Sequence, residues 1–437
     1  MKSSDKENQD ELTKCRSSKN SSNSSLIQRF SFFYRIFSTF NSLPQGIFAV
    51  SLFGLFLGAA TTMVYSNLGL FMKNELHASE ATISSIDGIV ESIAYIVRIF
   101  SGAVSDYFCN RKAILIIGCA ISLLTKPLFA IANSSLMILF AQSIERIGNG
   151  IQAVPRDSLI ADLSSKEKRG QSFGFSRSLK TIGSALGTVL GMWIMFLSCN
   201  NYRVVFFCST FAVAIAIALL YKVKTPQELR ETKKENTSPK KMENPFQKKY
   251  LRSLDVHFWK LLTLAFVFEM GHFSESLFPI FAHEFTSLGT ASSASIFISI
   301  GQVACSYPIG LYADRLGKAK FIKICILMMI AANLFFLTAN SIVNIYIGAF
   351  LWGGQMTAVQ GLFLSLITER VDSHLRGTAI GVYYCTIGLS FFLSSIFAGN
   401  IWTSYGHDFA FLYSICFCCL ALFIFNILLP KKCEVRS

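Results

Sequence analysis

Apolar runs of roughly 20 residues alternate with short polar stretches along almost the whole chain. Six runs fall near residues 46–72, 82–104, 113–132, 136–160, 170–197 and 203–222. Six more fall near 258–282, 292–312, 320–339, 342–366, 377–399 and 408–430. A helix rising about 1.5 Å per residue needs about 20 residues to cross a hydrocarbon core of about 30 Å. Inside that core no water is available to backbone groups, so each run is predicted to satisfy them as a helix. The pattern therefore predicts an all-α membrane protein with twelve transmembrane helices.

The polar stretches set the organisation. Residues 1–45 read as a cytosolic disordered tail, rich in Ser, Asn and Lys, with an interfacial lead-in where aromatics alternate with Arg29 and Arg35. Residues 46–222 form an N-terminal six-helix bundle, 223–257 a cytoplasmic linker, 258–430 a C-terminal six-helix bundle, and 431–437 a cytosolic tail. Lys and Arg concentrate in the tails, the linker and every second loop. The opposite loops hold little beyond Lys73 and Arg203. By the positive-inside rule both termini face the cytoplasm of a multi-pass cell-membrane protein, in the inner membrane if the cell is bacterial.

Composition agrees. Apolar residues reach 52%, charged residues fall to 15%, and mean hydropathy is +0.47, against about 45–50% and about 25% in soluble domains. The formal charge of +14 sits in loop clusters that suit topology, which excludes a nucleic-acid partner. Most of the 12 cysteines, including Cys119, Cys208, Cys305, Cys325, Cys385, Cys416, Cys418 and Cys419, lie within apolar runs and lack zinc-finger spacing. They read as small buried apolar groups, and no metal site is expected.

The two sets of runs are copies. Gly102 and Asp106 recur 208 positions later as Gly310 and Asp314. Asp162, Arg169, Gly170 and Gly174 recur 207 positions later as Glu369, Arg376, Gly377 and Gly381. Two pseudo-symmetric six-helix bundles, duplicated in parallel, follow.

The repeated loop, best preserved as Gly310, Asp314, Arg315, Gly317 and Lys318, resembles the G-x-x-x-D-R-x-G-R-K signature of the major facilitator superfamily. The first copy keeps Gly102, Asp106, Arg111 and Lys112 but has Tyr107 at the first arginine position. Arg146 and Gly150 resemble the family's fourth-helix R-x-x-x-G signature, and the segment from Arg146 through Pro155 to Gly174 is similar to a bacterial branch of permeases. The resemblance implies a central cavity between two bundles that opens to either side by turns. A carboxylate is favoured near a helix N-terminus. Pseudo-symmetry then sets Asp106 near Arg376 and Asp314 near Arg169, as a cytoplasmic latch comprising Gly102, Asp106, Arg111, Arg169, Gly310, Asp314, Arg315 and Arg376.

Charges inside the spans are costly, by about 2.5–3.5 kcal/mol each at the bilayer centre, and normally face a cavity or one another. The candidates for substrate binding or coupling are Asp87, Glu91, Glu145, Arg146, Arg177, Lys180, Glu269 and His272. Asp87 and Glu91, four apart, share a helical face and form either a proton site or structural pairs with Arg177 or Lys180. Lys180 stands where the resemblance implies an acidic residue. Glu145 and Arg146 are adjacent, so they diverge and need partners on different helices; Arg146 is expected to face the cavity. Glu269, His272 and Glu275 are spaced along one flank of the seventh span and can form a proton relay, because histidine changes charge near neutral pH. Glu275 is expected nearer the outer surface. Pro155 removes one helix bond and is expected to kink its span, whereas Gly150, Gly183, Gly187 and Gly191 permit close helix packing. The last three resemble an antiporter signature in which Thr188 replaces Pro and Met192 replaces Gly.

No phosphate-cradling G-x-x-x-x-G-K-S/T loop or H-E-x-x-H is present, so neither ATP-driven transport nor an enzyme is read from the chain. The expected function is secondary active transport of a small polar organic solute, anionic or zwitterionic, by a monomer in the lipid bilayer. It would use no cofactor beyond a proton gradient. A drug or metabolite exporter, or a non-transporting receptor on the same fold, is the alternative. Neutralising the latch carboxylate as Asp314→Asn should lower solute uptake several-fold while folded protein yield is unchanged; uptake equal to the unaltered protein would exclude the latch.

Overall fold

The computed structural model describes residues 45–108, 111–164, 169–221, 255–371 and 376–428. The first half comprises α1 (Gln45–Asn74), α2 (Glu80–Phe108), α3 (Arg111–Ala130), α4 (Ser135–Leu163), α5 (Arg169–Leu197) and α6 (Tyr202–Tyr221). The second half comprises α7 (Val256–Glu269), α8 (Leu277–His283), the one-turn α9 (Leu288–Ala291) and α10 (Ser293–Leu316). It continues with α11 (Lys318–Leu337), α12 (Ile342–Arg370), α13 (Arg376–Tyr405) and α14 (His407–Leu428). Each predicted span except the seventh is one helix, with ends displaced by a few residues. The predicted tails and nearly all of the linker lie outside the described residues.

Strict alternation of helix direction puts Gln45 and Leu428 on one face, here called proximal. The connections α1–α2, α3–α4, α5–α6, α8–α10, α11–α12 and α13–α14 form the distal face. There Arg203 donates to Glu75 (3.2 Å), the Ala130 carbonyl (3.0 Å) and Asn133 (3.2 Å), and Lys73 pairs with Glu80. On the proximal side α10 and α11 are joined by Gly317 alone, at φ +100°, a backbone that L side chains rarely adopt. The loop signature is therefore largely helical: Gly102 and Asp106 close α2, and Gly310, Asp314 and Arg315 close α10. The side chains of Asp106, Arg111, Arg169, Asp314, Arg315 and Arg376, and the surroundings of Gly102 and Gly310, lie outside what the structure describes.

The seventh span is broken, contrary to the single helix expected over 258–282. α7 stops at Glu269 and α8 resumes at Leu277. Pro279 gives a physical reason. It has no N–H for the carbonyl of Glu275, and its ring excludes a helical carbonyl there. Tight i−3 bonds, Gly271 N–H to Phe268 O and His272 N–H to Glu269 O (both 3.0 Å), turn the chain between the pieces. Carbonyls left without helix partners need others in a bilayer. Ser394 Oγ of α13 donates to Met270 O (2.6 Å), and Ser414 Oγ of α14 donates to Gly271 O (2.7 Å). Aromatic packing fixes α8 below: Phe278 lies 4.8 Å from Trp352 and 5.0 Å from Phe336 between ring centroids.

Among the described residues, eight helices are long and apolar enough to cross a membrane: α1, α3, α5, α6, α11, α12, α13 and α14. The four remaining spans are instructive. α2 and α4 carry several of the intramembrane charges, α7–α8 is broken, and only the apolar stretch Ser293–Cys305 of α10 stands out.

Within each half, helices approach through residues lacking side chains. A Cβ placed on Gly183 or Gly187 of α5 would strike the carbonyl oxygens of Leu55 or Ala59 on α1, and one on Gly191 would lie 3.1 Å from Asn67 Nδ2. Gly150 of α4 similarly faces the Val97 side chain of α2. Pro155 is buried within a helix that continues through it. The two halves meet where α2 packs on α13 and α5 on α10, pairs related by the internal duplication. Overpacking a tight contact costs about 1–3 kcal/mol, so Gly187→Leu should lower the thermal unfolding midpoint and the monodisperse fraction on size exclusion. A variant with the unaltered midpoint would mean that α1 and α5 do not touch there.

Candidate substrate and coupling site

Ionisable side chains from both halves converge in the middle of the molecule. Tyr65 comes from α1, Asp87 and Glu91 from α2, Lys126 from α3, and Gln142, Glu145 and Arg146 from α4. Ser274 and Glu275 come from the break between α7 and α8. Consecutive residues on a helix diverge by about 100°, which separates Glu145 from Arg146. Glu145 turns into its own bundle and pairs with Lys126, whose ammonium lies 5.9 Å and 5.8 Å from the ring centroids of Tyr65 and Phe129. Arg146 turns towards the seam. Its Nη2 is 3.1 Å from Glu91 Oε2, and its guanidinium lies 4.7 Å over the Tyr65 ring.

Exposure separates the two pairs. Both side chains of Lys126–Glu145 are 0% exposed, whereas Arg146 and Glu91 are 25% and 23% exposed. The first pair is sealed structure. The second borders accessible space. Asp87 is bonded from both halves: Gln142 Nε2 of α4 donates to Oδ1 (3.3 Å), and Ser274 Oγ of the opposite half donates to Oδ2. Glu275 lies within electrostatic reach of Glu91, Arg146 and Asp87, so it sits at the interior seam rather than near the outer surface as expected.

A second polar group lies wholly in the C-terminal half. Glu269 Oε2 is 3.2 Å from His272 Nδ1, and Gln355 Nε2 is 2.8 Å from His272 Nε2. Rings of Phe268 and Trp352 flank the imidazole at 5.0 Å and 5.4 Å. The predicted single flank of Glu269, His272 and Glu275 is thus corrected. The broken helix turns the first two into the C-terminal core and the third to the seam. Arg177 and Lys180 are exposed on the proximal third of α5. The partners of Asp87 and Glu91 named above are instead on α4 and at the break. Arg156 pairs with its neighbour Asp157 at 2.9 Å.

Seam contacts run from the distal face to mid-depth. Ser84 Oγ donates to Ser395 O (2.7 Å), Ser92 Oγ to Gly388 O (2.8 Å), and Ser292 Oγ to Asn67 Oδ1 (2.8 Å). Tyr95 stacks on Tyr384 at 5.9 Å and accepts from Gln360 (3.2 Å). Lys126 was not among the predicted residues, although a lysine beside Pro127 within an apolar run is as conspicuous as Arg146. Nothing in the sequence joined Ser274 to Asp87.

Removing one member of a buried pair strands the other charge, at about 3–5 kcal/mol, whereas removing both is far cheaper. Lys126→Met should therefore collapse the thermal midpoint and Lys126→Met with Glu145→Gln should restore most of it. Equal losses in the single and double variants, measured by thermal unfolding in detergent, would show that the pair is not coupled.

The family model of the Major Facilitator Superfamily matches residues 50–286 and 275–436. An uncharacterized MFS-type transporter of Methanocaldococcus jannaschii is 24% identical over 332 residues, covering 74% of this chain and 79% of its own. The inner membrane transport protein YajR of Escherichia coli is 24% identical over 349 residues, 77% of this chain and 71% of its own. The crystal structure of the nucleoside transporter NupG aligns with a TM-score of 0.68 at 15% identity, over 90% of this chain and 100% of that one; at that identity the likeness is one of fold. With a family match across both halves, twelve spans in two bundles and charges gathered at their seam, the chain belongs to the Major Facilitator Superfamily and is a multi-pass membrane transporter rather than an enzyme.

Proposed function

We propose that this protein is a proton-coupled secondary carrier of a small polar organic solute, anionic or zwitterionic, working as a monomer by alternating access. The observation that carries the reading is Asp87, a carboxylate of one half bonded by Ser274 of the other. Gaining or losing a proton there alters a contact between the moving halves. The groups around it are Glu91 on its own helix, Gln142 and Arg146 on α4, Tyr65 on α1, and Ser274 and Glu275 at the break. Arg146 supports a carboxylate-bearing solute, because a guanidinium binds carboxylates in a two-pronged geometry. Its accessible position beside Glu91 suits a group that exchanges its partner when solute arrives.

With both termini cytoplasmic, as the loop charges favour, the seam contacts at Ser84, Ser92 and Tyr95 close the outer side. Arg177 and Lys180 then line the approach from the cytoplasm. The Glu269–His272 pair is a second place for a proton, tied to the break rather than to the seam. Energy would come from the proton gradient, with no bound cofactor.

Asp87→Asn keeps the shape and removes the titrating group. In proteoliposomes it should abolish accumulation driven by a pH gradient while leaving solute counterflow within about two-fold, since exchange needs no net proton movement. Accumulation at the unaltered level would end Asp87's coupling role. The sign of the gradient that drives uptake separates symport from export by antiport, and absence of counterflow with every solute would favour a receptor.

A further inference from the structure

The charges at the seam do not balance, and the imbalance has a sign. Of the four carboxylates gathered in the middle of the molecule, Glu145, inside its own bundle, is neutralised by Lys126, and Glu91, at the seam, by Arg146. Asp87 and Glu275 have no ion-pair partner among the described residues. Asp87 accepts bonds at both oxygens. Glu275 does not: its Oε1 is buried and receives no hydrogen bond. A buried acceptor left without a donor costs about 1–3 kcal/mol, more when charged; Glu145 Oε2 also lacks one but is sealed beside Lys126, whereas Glu275 lies within electrostatic reach of the accessible Arg146 and so marks a place where a donor from the solute belongs.

An independent observation points to the same donor. Gln142 is fully buried, and while its Nε2 binds Asp87, its Oε1 also lacks any partner. Gln142 and Ser274 grip the same Asp87 carboxylate from opposite halves, and Glu275 follows Ser274 directly. Gln142 bonds Asp87 and Glu275 lies within electrostatic reach of it, so both orphan acceptors adjoin the Asp87 carboxylate. Within electrostatic reach of Glu275 there is also an orphan donor, Nε of Arg146. Unmet acceptors and an unmet guanidinium donor in one neighbourhood form the complement of a zwitterion.

We propose that the transported solute carries a protonated primary amine, held by the carboxylate of Glu275 and the amide oxygen of Gln142, so that the substrate class is small zwitterions. The ammonium is the new element; the solute carboxylate on Arg146 rests on the function proposed above. An ammonium has three N–H donors and no acceptor, which matches two acceptors from opposite halves plus one water or backbone oxygen. Because Gln142 belongs to one bundle and Glu275 to the other, the ammonium bridges the seam when bound. A solute lacking the amine would leave Glu275 and Gln142 unmet and be rejected in the way buried polar groups reject analogues that cannot bond them.

The test uses the full-length protein purified in detergent, with thermal unfolding as the readout and three matched probe sets: the standard amino acids and dipeptides, the corresponding carboxylic acids without the amine, and the corresponding amines without the carboxylate. At equal concentration one or more zwitterions should raise the midpoint through mass action, and their amine-free acids should not. Glu275→Gln should weaken the effective zwitterion by about ten-fold or more, the loss of a charged hydrogen bond, and Glu275→Asp should recover part of it. Gln142→Leu gives a second variant should Glu275→Gln fail to fold. An amine-free acid that stabilises as strongly as its zwitterion, an undiminished zwitterion shift in both variants, or no shift with any amine-bearing probe would overturn the proposal. Counterflow of an amine-free solute in proteoliposomes would reject the ammonium site alone and leave the carrier reading intact, whereas absence of flux for every probe would reject the carrier reading itself.

Discussion

Hydrocarbon offers no solvent to a charge or to an unpaired carbonyl, and the rest of this structure follows from that constraint. Every intramembrane charge has to be shared between helices, and every broken helix has to borrow hydrogen bonds from its neighbours. Lys126 and Glu145 meet the first demand by pairing inside one bundle, out of reach of both lipid and water. Met270 and Gly271 meet the second through hydroxyl groups on α13 and α14. Once these obligations are met, the polar groups still lacking partners stand out as places for water, protons or solute.

The structure sorts its ionisable residues by the neighbours they have. The sealed pair fixes the relation of α3 to α4. The partly accessible pair, Arg146 with Glu91, lies on another side of α4, one residue away in sequence. That single step along α4 separates architecture from chemistry. In the C-terminal half, the aromatic rings around Trp352 hold α8 firmly, while the residues just before it reach across to the other bundle. The break thus joins a rigid anchor to a polar contact at the seam.

Much of the fold was legible from the alternation of apolar and polar runs, because span length and backbone satisfaction leave few alternatives in a bilayer. The duplication was legible too, since Gly102 and Gly310, or Arg169 and Arg376, recur at nearly fixed offset. The break in the seventh span was not read, although Pro279 and Gly271 bracket it; a proline within an apolar run is compatible with a kinked helix as well as a severed one. Arg146 was read as facing the interior because a guanidinium has few other options there. Ser274, Ser394 and Ser414 were unreadable, since a serine in a membrane helix usually bonds back to its own chain, as Ser66 does to Thr62 O. Which serines reach a different helix is decided only by three-dimensional register.

The distal half of the seam has a character of its own. Its contacts at Ser84, Ser92 and Ser292 are hydroxyl groups bonded to carbonyl or amide oxygens, with glycines such as Gly88 and Gly399 letting the backbones close up. Each such bond is worth about 0.5–1.5 kcal/mol net, and each hydroxyl can turn back to a carbonyl of its own helix, as Ser92 already shares Gly88 O at 2.7 Å. Parting the bundles on that side therefore strands no charge and leaves few groups unsatisfied. A seal of this kind behaves as a zip fastener of interchangeable teeth, able to open and reclose many times without any step that would trap the protein in one shape.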